Sequence, residues 1–293
     1  MKVFLTWRAD PPDPPYWEWI SNLPGIVVAL SGMSPRQIDS TSIRHLRLRL
    51  GVNSTIIVDS VITPLWKEGG IDLAKPQSLL LYMERMTGAD ILIHKDYPLI
   101  KLNKDKREQL WRRTIVNAEL ALKIADKMGI KIMLVAQGWD IKSYVMSAEK
   151  YREFGAEYIA IGSLAVHRSN PQYVYDVVKA VRSAVGSRIH LHVLGVSLSS
   201  QISSLKKYAD SVDISTPIRA AIAREVLWPD HDFTTLKRTR ITSEIINELM
   251  SILDGKGKEL IHRLMSSSNT HRFVWNLALL NAYILYYWLS KNL

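Results

Sequence analysis

Lys131 to Ile161 reads KIMLVAQGWDIKSYVMSAEKYREFGAEYIAI, and this stretch decides the fold. Lys131–Ala136 is a nearly continuous apolar run of strand length and Tyr158–Ile161 is a second. Between them Ser147–Phe154 has helical spacing, and Gly155 stands where that helix should stop. Strands that are apolar throughout, rather than alternating, belong to a parallel sheet covered on both faces. Outward from this unit the pattern repeats. Runs rich in Val, Ile and Leu at Lys2–Thr6, Ile26–Leu30, Thr55–Val58, Asp90–His94, Arg188–Leu194 and Ser211–Ser215 bring the candidate strands to eight. Further helical segments lie at Lys106–Met128, Pro171–Val185 and Ser199–Tyr208, with Gly129 and Gly186 at helix ends. Eight such units predict an α/β fold, a closed (β/α)8 TIM barrel over residues 1–224, although a doubly wound open sheet gives a similar local pattern. Past Arg224 the strand signal stops. Trp228–Phe233, a basic run and helices at Ser243–Leu253, Lys256–Met265 and Thr270–Ser290 predict a helical C-terminal extension, residues 225–293, packed on the barrel.

The 293 residues are 47% hydrophobic and 23% charged, which excludes a disordered or collagen-like chain and suits one large domain with an appendage. The 38 Lys and Arg against 28 Asp and Glu leave a net +10, a bias toward polyanionic partners such as nucleic acid or an acidic membrane surface. Zero cysteines exclude disulfides, Cys-ligated zinc, iron–sulfur clusters and thiol nucleophiles, and leave the redox compartment open. Met1 to Trp7 is a short apolar run followed by Arg8 and the turn-rich Ala9 to Pro15, unlike a signal peptide, so a cytoplasmic location is expected. Phe273 to Leu289, FVWNLALLNAYILYYWL, is apolar over 17 residues and sits at the lower edge of what spans a bilayer. A tail anchor and a long buried helix both remain open. Asn276, Asn281 and the shortness of the run favour the packed helix, so no membrane partner is expected.

Chemistry in such folds collects at the carboxyl ends of the strands, and here those ends are acidic. The third strand ends Val58-Asp59-Ser60, the fourth continues through His94-Lys95-Asp96-Tyr97, and the eighth carries Val212-Asp213-Ile214 ahead of Pro217 and Arg219. The fifth ends at Gln137-Gly138-Trp139, the sixth at Gly162-Ser163-Leu164 and the seventh at Leu194-Gly195-Val196. Two chemistries use such a rim. Paired carboxylates divide nucleophilic attack and proton transfer at a glycosidic carbon, whereas three carboxylates hold a hard cation such as Mg²⁺. The Gln137 amide and the small Gly162-Ser163 turn favour the first, because a flat purine edge asks for donor–acceptor pairs and close backbone approach. Any one of the three aspartates taken alone has a plain alternative as a helix or turn cap. His94 and His167, lone imidazoles near strand ends, read as structural.

Ile132–Arg219 resembles the second half of the tRNA-guanine transglycosylase family, whose V-Q-G-G, G-G-L-A-V-G, M-G-V-G and D-x-x-x-P-x-R elements follow in that order. The matching segments are VAQGW at Val135–Trp139, IGSLAVH at Ile161–His167, VLGVS at Val193–Ser197 and DISTPIR at Asp213–Arg219. Upstream, Val58-Asp59-Ser60 looks like the start of the family's D-S-G-G-F element, and Asp96 sits where the family's base-reading Asp follows its fourth strand. The similarity covers roughly Thr55–Arg219, more weakly Asn269–Leu280. It implies a glycosyltransferase that exchanges guanine in a nucleic acid for a 7-deazaguanine such as preQ0. Asp213 would be the nucleophile at C1′, Asp59 the general acid/base for the purine's ring proton, and Asp96, Gln137, Gly138, Gly162, Ser163, Leu194 and Gly195 the residues holding the base. The family's Gly-Gly-Phe is here Val61-Ile62-Thr63, its second fifth-strand Gly is Trp139, and its sixth-strand Gly-Gly is Gly162-Ser163. Trp139 beside the pocket would either stack on a base or plug the barrel top.

Members acting on tRNA carry a Cys/His zinc site after the eighth strand, which a chain without cysteine cannot form in that way. The resemblance is therefore to the compact, zinc-lacking branch acting on DNA, with DNA favoured over tRNA as partner. A non-catalytic nucleic-acid-binding subunit is the alternative from another class. No cofactor or metal is expected, and a homodimer is an option by resemblance. Candidate phosphate grips are Arg44, Arg47 and Arg49, the cluster from Lys101 to Arg113, Arg219, and above all Lys237, Arg238 and Arg240 after the catalytic strand.

Overall fold

The computed structural model describes residues 1–8, 13–29, 47, 53–59, 88–167, 169–196, 199–230 and 235–292. Eight parallel strands close into a barrel in chain order: β1 (Lys2–Arg8), β2 (Gly25–Ala29), β3 (Thr55–Asp59), β4 (Ile91–Ile93), β5 (Lys131–Ala136), β6 (Tyr158–Ile161), β7 (His190–Val193) and β8 (Ser211–Ile214). The barrel shuts through β8 on β1, with Val3 opposite Val212 and Phe4 opposite Asp213. The closed barrel, rather than the open sheet, is thus the architecture.

Apolar continuity along each strand reflects two cores. Phe4, Val27, Ile57, Ile91, Ile93, Met133, Val135 and Ala160 fill the barrel interior. Their strand neighbours Leu5, Val28, Ile56, Val58, Leu92, Leu134, Ile159, Ile161, Val193, Val212 and Ile214 point outward beneath the helices. Side-chain direction alternates along a strand, so this split fixes which residues face inward at the carboxyl end. By that parity Thr6, Asp59, Gln137, Gly162, Leu194 and Asp213 all lie on the interior side.

The outer layer includes α1 (Tyr16–Trp19), α2 (Lys104–Met128), α3 (Ile141–Glu153), α4 (Pro171–Val185) and α5 (Ser199–Leu205). The α4 sequence carries every signal expected of a barrel helix. Asn170 accepts from the Tyr173 N–H at 3.1 Å, Pro171 opens the first turn, and Gly186 closes the last. Val174, Val177, Val178, Val181 and Val185 form its single buried stripe, each worth about 1.5–3 kcal/mol on burial. On α2 the buried stripe is Ala118, Ala121 and Ala125, small enough for a 25-residue helix to lie close on the sheet. It ends at Gly129, whose φ of 65° suits glycine.

Helix α3 begins at Ile141, six residues ahead of the segment predicted by spacing. Asp140 and Ser143 form a reciprocal cap there, with Ser143 in place of the usual Glu or Gln. After β8 come α6 (Thr216–Ile222), then a second correction to the sequence reading. Strand signal does not stop at Arg224, because β9 (Glu225–Pro229) and β10 (Leu236–Arg240) form an antiparallel hairpin. Three cations in the five residues of β10 disguise it as a basic linker, and Leu236 is its buried residue.

Three helices complete the chain: α7 (Ser243–Ile252), α8 (Gly255–Met265) and α9 (Thr270–Asn292). The apolar run predicted near the end is spent inside the protein. Leu277–Ala282, Ile284, Leu285, Trp288 and Leu289 of α9 are buried against α6, α8 and β9. No helix among the described residues is long and apolar enough to cross a membrane. Asn281, fully buried, accepts from the Leu227 N–H at 2.7 Å and donates to the Pro217 and Glu225 carbonyls at 3.2 and 3.0 Å. Through that one amide the last helix is fastened to both α6 and the hairpin.

Candidate functional site

Asp213 stands on β8, one residue before the strand ends, with only 6% of its surface exposed. Its carboxylate is held by three neighbours. Thr6 Oγ1 on β1 lies 2.9 Å from Oδ2, while the Gly195 N–H and His192 Nε2 lie 2.8 and 3.3 Å from Oδ1. Gly195 can present that N–H because its φ is 71°, a region open to glycine. A carboxylate offers about four acceptor positions, so these three donors fill Oδ1 and leave one position on Oδ2.

Behind Asp213 runs a polar line through the barrel wall. His192 Nδ1 is 2.8 Å from Ser211 Oγ, which is 2.7 Å from His190 Nε2. If His192 donates through Nε2 to the carboxylate, its Nδ1 must accept the Ser211 hydroxyl proton, and Ser211 in turn accepts from His190. Burial lowers the His190 pKa from its ordinary value. Thr6, His192 and Ser211 were not among the residues singled out from sequence. The signal lies in strand register, where His192 faces Ser211 across β7 and β8.

A second polar pair joins the ends of β4 and β5. Gln137 is 2% exposed and donates from Nε2 to Asp96 Oδ2 at 2.5 Å. Its Oε1 is buried and has no hydrogen-bond partner among the described residues. Asp96 keeps some contact with solvent, yet burial pushes its pKa up to about 6 against the opposing Gln137 hydrogen bond. Near neutrality this group exchanges readily between acceptor and donor. The chain on either side of it is pinned by α2: Asn117 donates to the Lys95 carbonyl at 3.2 Å, and Thr114 accepts from the Tyr97 N–H at 3.1 Å. His94, completely buried, accepts the Val135 N–H at Nδ1, and burial holds its pKa down at about 4.

The other base-holding candidates divide. Gly162 is required by space, since a Cβ there would stand 2.4 Å from Gln137 Nε2 and 2.7 Å from Val135 Cγ1. Ser163 adopts a φ of 60°, unusual for a residue with a side chain. Leu194 is partly exposed at the mouth. Gly138 has a packing reason of its own, because a Cβ would meet the Tyr144 backbone N at 2.6 Å. Asp59 ends β3 on the interior side, three strands from Asp213 through β2 and β1, and is partly exposed. Ser60 and Val61–Thr63 lie outside the described residues. Among the described residues no three His, Asp or Glu side chains gather as a cation-binding set.

The basic candidates are scattered. Arg47 belongs to the opposite end of the barrel, where it pairs with Asp90 ahead of β4 and donates to the Ser54 carbonyl at 3.3 Å. Arg44 and Arg49 lie outside the described residues. Arg219 is exposed on α6. On β10, Lys237 and Arg240 are exposed, but Arg238 is engaged with Glu225 at 2.5 Å. His167 packs against the Tyr173 ring at 4.6 Å between centroids. Comparison of the chain with family models and with curated proteins gives no match.

Proposed function

We propose that the protein is a nucleic-acid guanine transglycosylase that replaces guanine with a 7-deazaguanine base, in DNA rather than tRNA. The observation that carries this reading is the carboxylate of Asp213. It is buried, fixed by three donors, and left among the described residues with one open acceptor position at the mouth of a barrel whose β4 and β5 ends bear the Gln137–Asp96 amide–carboxyl pair. The motif resemblance from Val135 to Arg219 supports the same assignment.

The chemistry is balanced by two carboxyl groups. Asp213 Oδ2 attacks C1′ of the target nucleoside, the bond from C1′ to the purine ring nitrogen breaks, and Asp59 delivers a proton as guanine leaves. Asp59 then removes the ring proton of the incoming 7-deazaguanine, whose nitrogen attacks C1′ and expels the Asp213 carboxylate. Two displacements leave the sugar configuration unchanged. Gln137 Oε1 accepts from the purine's donor edge, and Asp96 supplies the complementary group on the same edge. The target base must leave its stack to reach the mouth.

Base exchange is tested by incubating the protein with guanine-labelled duplex DNA and, separately, labelled tRNA in the presence of preQ0. Nucleosides are then analysed by mass spectrometry. The expected result is release of labelled guanine and a 7-deazaguanine nucleoside in the DNA. Exchange confined to tRNA overturns the choice of polymer, and exchange in neither overturns the function.

A further inference from the structure

Beside the Asp96–Gln137 pair lies a third apolar cluster, separate from both barrel cores. Tyr97, Leu99 and Leu110 are its buried members, with Leu102, Trp111 and Trp139 partly exposed against them. It begins at the residue after Asp96 and includes the second residue after Gln137, so it borders the site directly. The cluster is anchored to the site's backbone: Trp111 Nε1 donates to Ser147 Oγ at 2.7 Å, and Ser147 donates to the Gln137 carbonyl at 2.7 Å. Trp111 meets Trp139 edge to face at 6.2 Å. Guanidinium groups overlie two of the rings, Arg107 at 4.8 Å from Trp139 and Arg113 at 5.1 Å from Tyr97. Neither arginine has a carboxylate partner among the described residues, and Arg107 Nε is buried with no hydrogen-bond partner. Residues 101–113 carry six cationic side chains against two acidic ones, a net +4.

A guanidinium held over an aromatic face keeps its charge and its terminal N–H donors, an arrangement suited to phosphate oxygens. Partly exposed indoles can stack on an unstacked base of any identity. On the reading that the partner is a nucleic acid, we propose that Trp139, Trp111, Arg107 and Arg113 form a shelf that holds the unpaired strand flanking the extruded guanine. The arginines take its phosphates and Trp139 takes the adjacent base. The shared chemistry is an unstacked base on a phosphodiester backbone, and deoxyribose and ribose strands are separated by experiment. This places the principal grip on α2 and the β5 end rather than on β10, where Arg238 already has Glu225 for a partner.

The test measures binding of fluorescently labelled DNA and RNA strands of about twelve nucleotides to the full chain, across a salt series. Four proteins are compared: wild type, the double variant Arg107→Gln with Arg113→Gln, Trp139→Leu, and Trp139→Phe as the conservative control, with thermal melting as the check on folding. Each arginine variant removes a phosphate contact worth about 0.7 in the slope of log K against log salt for a single strand. The double variant should bind at least tenfold more weakly with a slope flatter by about 1.4. Trp139→Leu should lose about tenfold with an unchanged slope, and Trp139→Phe should recover most of it. Folded variants that bind as wild type does, with the same slope, overturn the proposal, as does equal competition by polyglutamate. Strand binding that depends on the shelf, in a protein without base exchange, sinks the transglycosylase reading and leaves the shelf standing. Exchange at wild-type rate and KM in the double variant does the reverse.

Discussion

Replacing Asp96 by Asn should stabilise the protein and at the same time remove its proposed activity. In the folded chain the carboxyl titrates at about 6 rather than its ordinary 3.8, chiefly through burial. Between those values the folded state holds a proton that the unfolded state has released, so stability falls as pH rises, by about 1.4 kcal/mol per pH unit. Above pH 6 the accumulated cost is at most about 3 kcal/mol. His94 works with the opposite sign. Its folded pKa of about 4 lies below the ordinary 6.5, so the unfolded chain takes up a proton first and stability falls as pH drops through that interval. In the wild type the two slopes nearly cancel between pH 4 and 6, and the profile of the intact protein hides both. The Asn variant removes only the first. Urea unfolding of both proteins from pH 4 to pH 8 reads the difference. The variant should match the wild type near pH 4, gain steadily to about 3 kcal/mol by pH 6–7, and hold that gain beyond. A variant less stable than wild type at pH 7, or a gap that does not change with pH, refutes the reasoning.

Gly162→Ala places a methyl 2.4 Å from Gln137 Nε2 and should cost about 1–3 kcal/mol while breaking the pair with Asp96. Purine binding followed by tryptophan fluorescence should weaken accordingly, whereas Gly255→Ala, with nothing within 4 Å, should leave both stability and binding alone. His192→Phe keeps the interior filled beside Phe4 but removes the donor to Asp213 and the acceptor for Ser211. A hydrogen bond to an ionised group is worth about 1.5–3 kcal/mol, so base exchange should slow by about tenfold to a hundredfold at unchanged KM, and an undiminished rate would remove His192 from the positioning of Asp213.

Much of the barrel was legible because its strands are read by a period of two and its helices by one buried stripe. The same period carries Asp59, Gln137 and Asp213 to the interior side of the mouth, since Asp59 and Gln137 share parity with Ile57 and Val135 of the inner core and Asp213 alternates with the outward-facing Val212 and Ile214. What surrounds them was not legible in the same way. Thr6 reaches Asp213 across 207 positions of chain, and the line from His190 through Ser211 to His192 exists only once β7 and β8 are in register. Lone histidines in a strand carry no periodic signal that separates a packed ring from a hydrogen-bonded one. The β10 strand was hidden because Lys237, Arg238 and Arg240 dominate its short sequence, and the grip preferred from that sequence is partly neutralised by Glu225. The sequence leaves Trp139 as either a stacking surface or a plug, and in the structure its partly exposed ring lies beneath Arg107.

The proposed bond between Asp213 and the sugar can be trapped directly. Wild type and Asp213→Ala are each incubated with guanine-containing DNA and with tRNA, denatured, and analysed by intact mass and by gel mobility. The expected result is a denaturation-resistant adduct with the wild type that chases away on addition of 7-deazaguanine and is absent from the alanine variant. An adduct that persists in Asp213→Ala, or none with either polymer under conditions where the strand is bound, would contradict it.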